Sequence, residues 1–136
     1  MEELIIYLTA IASLAKDLHY NMSGKDFYGN HLLMDRIYDG IYDFIDEIKE
    51  NYYMYNGLDT PSDAMNIYPE VIKLLEKTDA EPIEAKLKAL KDLTKDVVYL
   101  CDDFCNEKKY DCGDKDLLGR IAVKMKNGAA LLNRTL

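Results

Sequence analysis

Both histidines of this 136-residue chain, His19 and His31, open a series that continues with Asp35, Asp46 and Glu50. His31/Asp35 and Asp46/Glu50 are each spaced i,i+4, which stacks two side chains on one face of a helix. Imidazole nitrogen combined with several carboxylates is a donor set suited to iron, zinc or manganese. The pattern therefore predicts a metal site, with carboxylates favouring the harder ferric state of iron.

These five residues must be positioned by helices, because the whole chain reads as helical. A first helix is expected from about Glu2 to Asn21, with Leu4, Leu8, Ile11, Ala15 and Leu18 as its apolar stripe. Ser23-Gly24 ends it. A second helix is expected from about Asp26 to Asn56, with Ile37, Ile41, Phe44, Ile48 and Tyr52 facing the core. Thr60-Pro61-Ser62-Asp63 is a helix start signal, followed by one or two short helices to about Lys77, interrupted before Pro69. A third long helix is expected from Pro82 to about Lys109, burying Ile83, Leu87, Leu90, Val97, Cys101 and Phe104. A fourth runs from Lys115 to about Arg134, burying Leu118, Ile121, Ala122, Met125, Ala129 and Leu132. The expectation is an all-α chain forming a four-helix bundle with a long second-to-third crossover, one domain over residues 1–136.

Spacing then constrains the assembly. His31 and Asp46 lie fifteen residues apart on one expected helix, roughly 22 Å at about 1.5 Å per residue. Metal–ligand bonds are near 2 Å, so the two halves of that helix cannot serve one metal within one subunit. An antiparallel two-fold partner removes the conflict: His31/Asp35 of one subunit meets Asp46/Glu50 of the other, giving two identical sites per pair. The axis would cross near residues 38–42. Tyr38 and Tyr42 lie within about 20° of His31 in helical projection and are candidate dyad contacts, expected to be exposed. Glu47 and Lys49 lie close by, so the metal-bearing face is not unique.

Charge and composition narrow the partners. The formal net charge is −8, which repels nucleic-acid phosphate and attracts cations. The first residues are Met1-Glu2-Glu3 and no basic run occurs at either end, so DNA binding is not expected. No segment is apolar enough to span a bilayer, and LIIYLTAIASLAKDL reads as an amphipathic helix rather than a signal peptide, so a cytoplasmic location is expected. Cys101, Cys105 and Cys112 are an odd number without a CxxC pair. They read as core or turn residues rather than as a disulfide framework.

His19-Tyr20-Asn21-Met22-x-Gly24, followed by Phe27, His31, Asp35, Asp46 and Glu50, resembles the Dps family of mini-ferritins (DNA-binding proteins from starved cells). That family carries His-Trp-Asn-Val-x-Gly and then His, Asp, Asp and Glu at these intervals. The likeness covers the first two helices closely. It is weaker beyond them, where Gly113-Asp114 and Asp116-Leu117-Leu118 look like a shortened form of the family's last turn.

The resemblance implies a ferritin-like four-helix bundle with a short helix in the crossover, twelve subunits in a hollow shell, and ferroxidase centres shared across two-fold interfaces. By carry-over, His19, His31 and Asp35 come from one subunit, Asp46 and Glu50 from its neighbour. It implies oxidation of Fe(II), with hydrogen peroxide preferred to oxygen, storage of ferric mineral, and protection against oxidative damage. Zinc is a possible substitute for iron. Tyr20 stands where many members have Trp and would be the radical trap. Asp111, Asp114 and Asp116 are candidates for the pore that admits iron. The glutamate-x-x-histidine pattern of ferritins with single-bundle sites is absent. Two other classes fit the same residues: a DNA-compacting, nucleoid-protecting protein with little ferroxidase activity, and a structural helical oligomer holding zinc.

Overall fold

The computed structural model describes residues 1–136 and is all-helical. Its elements are α1 (Glu2–Asn21), α2 (Phe27–Tyr38), α3 (Ile41–Ile48), a π-helical segment (Lys49–Met54), a second π segment (Asp63–Ile67), α4 (Tyr68–Glu76), α5 (Ile83–Cys105) and α6 (Cys112–Thr135). No helix is long and apolar enough to cross a membrane.

Helix α1 is the hub of the packing. Leu4, Leu8, Ile11, Ala15 and Leu18 are buried as the periodicity predicts, and Ile5, Ala12 and Leu14 are buried as well. That widens the apolar face until α1 touches α2, α3, α4 and α5 at once. Each fully buried Leu or Ile contributes roughly 1.5–3 kcal/mol. Thr9, also buried on this face, donates its hydroxyl to the Ile5 carbonyl at 2.8 Å, so no polar atom is stranded there. Helix α6 closes the other side. It packs along α5 and also against α2 and α3, burying Leu118, Ile121, Met125, Ala129 and Leu132. The buried apolar residues form one cluster drawing on all the long helices.

The expected second helix is not continuous. It breaks at Asp39–Gly40, where Asp39 is extended (ψ 132°) and Gly40 takes a left-handed φ of 80°. An L-residue is disfavoured there, which explains why glycine occupies the break. The break also leaves α2 carbonyls without helical partners. Lys124 of α6 supplies one, donating Nζ to the Arg36 carbonyl at 3.0 Å. Beyond α3 the helix loosens into the Lys49–Met54 π segment, with Tyr55 N bonding back to the Glu50 carbonyl at 3.0 Å.

The crossover follows its start signal. Ser62 accepts from Met65 N at 3.2 Å and opens the second π segment, which runs into α4. Pro69 sits in the first turn of α4. It has no N–H to give to residue 65, which accounts for the interruption expected before it. Helix α5 stops at Cys105, four residues short of the expected Lys109. Helix α6 begins earlier than Lys115 because Asp111 and Asp114 form a capping box: Asp114 N donates to Asp111 Oδ1 at 2.8 Å, and Asp111 N to Asp114 Oδ2 at 3.2 Å.

The three cysteines are free thiols. Cys101 is 1% exposed, and burial, reinforced by Cys105 and Asp102, pushes its thiol up to about 12. Because the folded-state pKa is raised, this group's stabilising effect is present below its ordinary value and is lost as pH climbs towards 12. A thiol reagent at pH 8 is therefore expected to modify exposed Cys112 readily and spare Cys101 until the chain unfolds. Mass mapping of the labelled peptides checks this. Gly40→Ala is expected to destabilise the fold by roughly 1–2 kcal/mol through the forced left-handed backbone. A denaturant titration measures it.

Candidate metal centre

The turn after α1 brings the two histidines together. Gly24, with φ 96°, lets the chain reverse in the five residues between Asn21 and Phe27. This lays α2 back along α1. The His19 and His31 rings then stack with centroids 3.6 Å apart and planes 20° from parallel. Each ring is tied to the other's backbone: His19 Nδ1 lies 2.8 Å from the His31 carbonyl, and His31 Nδ1 lies 2.6 Å from the His19 carbonyl. A carbonyl only accepts, so each Nδ1 carries the proton. In the neutral imidazole this tautomer leaves the lone pair on Nε2. Metal-ligating histidines are commonly held in this way, with the non-ligating nitrogen donating to a carbonyl or carboxylate that fixes the tautomer and ring orientation.

Aromatic groups flank the pair. Phe27 lies 5.1 Å from the His31 ring, and Tyr20 meets the His19 ring edge-on at 5.0 Å. Tyr20 is 68% exposed, so it borders the pair from the solvent side. Asn21, the residue after Tyr20 in the motif, turns away and donates to the Asp17 carbonyl at 2.8 Å, closing the end of α1.

Lys16 is a site residue that ligand spacing did not reveal. Its Nζ lies 4.4 Å from the Tyr38 ring centroid and 5.5 Å from that of Tyr20, within cation–π range. Its position one turn before Tyr20 on α1 was the available signal. Lys16 also helps to cover Tyr38, which is half-buried rather than exposed as expected. Tyr42 is exposed and meets Tyr38 edge-on at 6.0 Å, the two straddling the Gly40 break. Burial, then Tyr38, Tyr68 and Asp63, raises the Tyr42 pKa above its ordinary value.

Asp35 is exposed on α2, one turn beyond His31, while Asp46 on α3 and Glu50 at the start of the π segment are exposed beyond the break. The break replaces the straight-helix distance with two jointed helices. No three His, Cys, Asp or Glu side chains in the chain gather closely enough to hold a metal ion. The neighbours that left the face ambiguous are otherwise engaged. Glu47 forms a two-pronged pair with Arg120 (Nη1–Oε2 3.1 Å, Nη2–Oε1 3.3 Å), and Lys49 pairs with Asp63 at 3.1 Å. Asp46 and Glu50 make no side-chain hydrogen bond or ion pair within the chain, and four carboxylate oxygens remain free to bind a cation.

At the head of α6, Asp111 and Asp114 hold each other in the capping box, and burial raises the Asp114 pKa. Asp116 pairs with Arg120 at 3.1 Å. All three also line an open groove of about 390 Å³ shared with Glu47, Asn51 and Tyr55. Each of these acids thus has a local bonding role independent of any pore.

No family model, curated protein or solved structure matches the chain.

The tautomer is directly measurable. Side-chain ¹⁵N shifts of metal-free protein are expected to show Nδ1 protonated in both histidines. Finding Nε2 protonated in either would remove that ring as a prepared ligand.

Proposed function

We propose that this chain is a mini-ferritin of the Dps type, an enzyme and iron store working in the cytoplasm. In this reading it is a ferritin-like four-helix bundle. The packing of α1 on α2, α3 and α5, and of α6 on α5, α2 and α3, supports it, as does α4 in the long crossover. Subunits assemble as a homododecamer whose ferroxidase centres lie across two-fold interfaces. The observation that carries the reading is the tethered His19–His31 pair, with Nε2 of both rings free, in a chain whose partnerless Asp46 and Glu50 lie on the other arm of the broken helix.

Ferrous iron is the substrate. His19 and His31 offer neutral nitrogen donors suited to Fe(II), with Asp35 beside them. Asp46 and Glu50 of a neighbouring subunit supply hard oxygen donors that favour the ferric product. Two ferrous ions, one hydrogen peroxide and two protons give two ferric ions and two waters. Pairing the electrons in this way avoids release of hydroxyl radical. Tyr20, edge-on to His19, is an oxidisable side chain beside the pair and would intercept stray oxidising equivalents. The acids lining the α6 groove, Asp111, Asp114 and Asp116, would draw iron inward. The net charge of −8 favours this cation traffic and disfavours contact with a DNA backbone.

The native assembly is expected to have a mass near twelve times 15.7 kDa. It should give a rapid ferric absorbance on addition of Fe(II) and peroxide. His31→Ala and Asp46→Ala chains are each expected to lose that rate. Co-refolding the two restores part of it, because every mixed two-fold pair keeps one site built from intact His31 and intact Asp46. Unchanged rates in both variants would refute the ligand assignment. No recovery on mixing, with mixed oligomers verified by mass, would refute sharing between subunits.

A further inference from the structure

We propose that the pocket between α2, α5 and α6 is a binding site for a phosphate-sized oxyanion. The chain carries 25 acidic against 17 basic residues, yet Arg36, Arg120 and Lys124 all line this pocket and no carboxylate does. Its volume is about 280 Å³, room for a tetrahedral oxyanion and a few waters. Gly128 forms part of its wall. A Cβ there would meet Ile37 Cγ1 at 3.6 Å and Thr94 Cγ2 at 3.9 Å, ordinary contact distances, so the glycine keeps the wall between α2, α5 and α6 thin.

The cations differ in what they can offer. Arg120 is already paired with Glu47 and Asp116, which hold its guanidinium rigidly along the wall. The Arg36 side chain enters none of the chain's ion pairs, leaving its planar fork of donors free. Lys124 spends one N–H on the Arg36 carbonyl and keeps two. It is a partly buried ammonium. Burial lowers its pKa, the nearby Arg36 charge lowers it further, and Asp39 is the only carboxylate acting against them. A bound anion would offset that desolvation. A guanidinium fork beside an ammonium suits phosphate, which accepts from both at once.

The site stands apart from the ferroxidase reading.

Equilibrium dialysis of iron-free protein against radiolabelled inorganic phosphate tests the site, since bound iron would itself capture phosphate. Saturable uptake of one phosphate per subunit is expected, with a dissociation constant on the order of 1 mM. Arg36→Gln, which breaks no hydrogen bond or ion pair of the fold, is expected to weaken uptake about tenfold, and Lys124→Gln likewise. Lys88→Gln makes the same charge change at an exposed position and is expected to leave uptake unaltered. Adenosine monophosphate distinguishes free phosphate from a phosphate ester. Competition by the ester would extend the site to esters, and its failure would restrict it to free oxyanions. Absence of saturable uptake, or equal uptake by native protein and Arg36→Gln, overturns the proposal. The His31→Ala variant, expected to bind phosphate normally, separates its failure from failure of the iron site.

Discussion

Burial of α1 on several sides is the constraint to which the other elements conform. A surface helix hides one stripe, but α1 hides ten of its 20 residues, so partners must cover most of its circumference. The short turn at Gly24 places α2 on one flank, and α5 and α4 take others. Once α2 lies back along α1, the histidine near the end of one meets the histidine near the start of the other. The stacked pair follows from the hub: His19 is in the last turn of α1, beside Leu18, whose burial fixes the rotation of that turn.

Most of the helical architecture was legible in apolar spacing. The stripe residues Leu4 to Leu18, Ile37, Ile41 and Ile48, Leu87 to Cys101, and Leu118, Ile121, Met125, Ala129 and Leu132 point inward where the period places them, while Ala122 is only partly buried. The break at Asp39–Gly40 was not legible, because a glycine inside a good apolar period is usually tolerated in a helix. The interrupted α2 takes a replacement donor from Lys124, 88 residues beyond Arg36. The early start of α6 is written in the sequence as Asp111 and Asp114 at capping-box spacing, a signal carried by their hydrogen bonds to the backbone and not by their charge.

The candidate site divides in the same way. Donor types and intervals along the chain were visible in His19, His31, Asp35, Asp46 and Glu50. What the intervals could not convey is which nitrogen of each ring is free, since that depends on carbonyls brought together by the turn. Nor could they separate Asp46 and Glu50 from Glu47 and Lys49. That distinction rests on Arg120 and Asp63, one in the last helix and one in the crossover, each of which takes one neighbour out of consideration.

The π segment at Lys49–Met54 has a consequence for how this arm tolerates change in length. A π turn holds about one residue more than the α-helical turn it replaces, so it behaves as an insertion already absorbed by the helix. The surplus is accommodated at a place where no residue is fully buried. Loss of a single residue here would tighten the spiral to α and leave the chain after it close to its present rotation. The faces beyond the segment would be kept, and Asp46, upstream, would stay where it is. Length in this segment is therefore a separate variable from ligand identity: the same acids, with one residue fewer between them and the crossover, would belong to a differently wound arm.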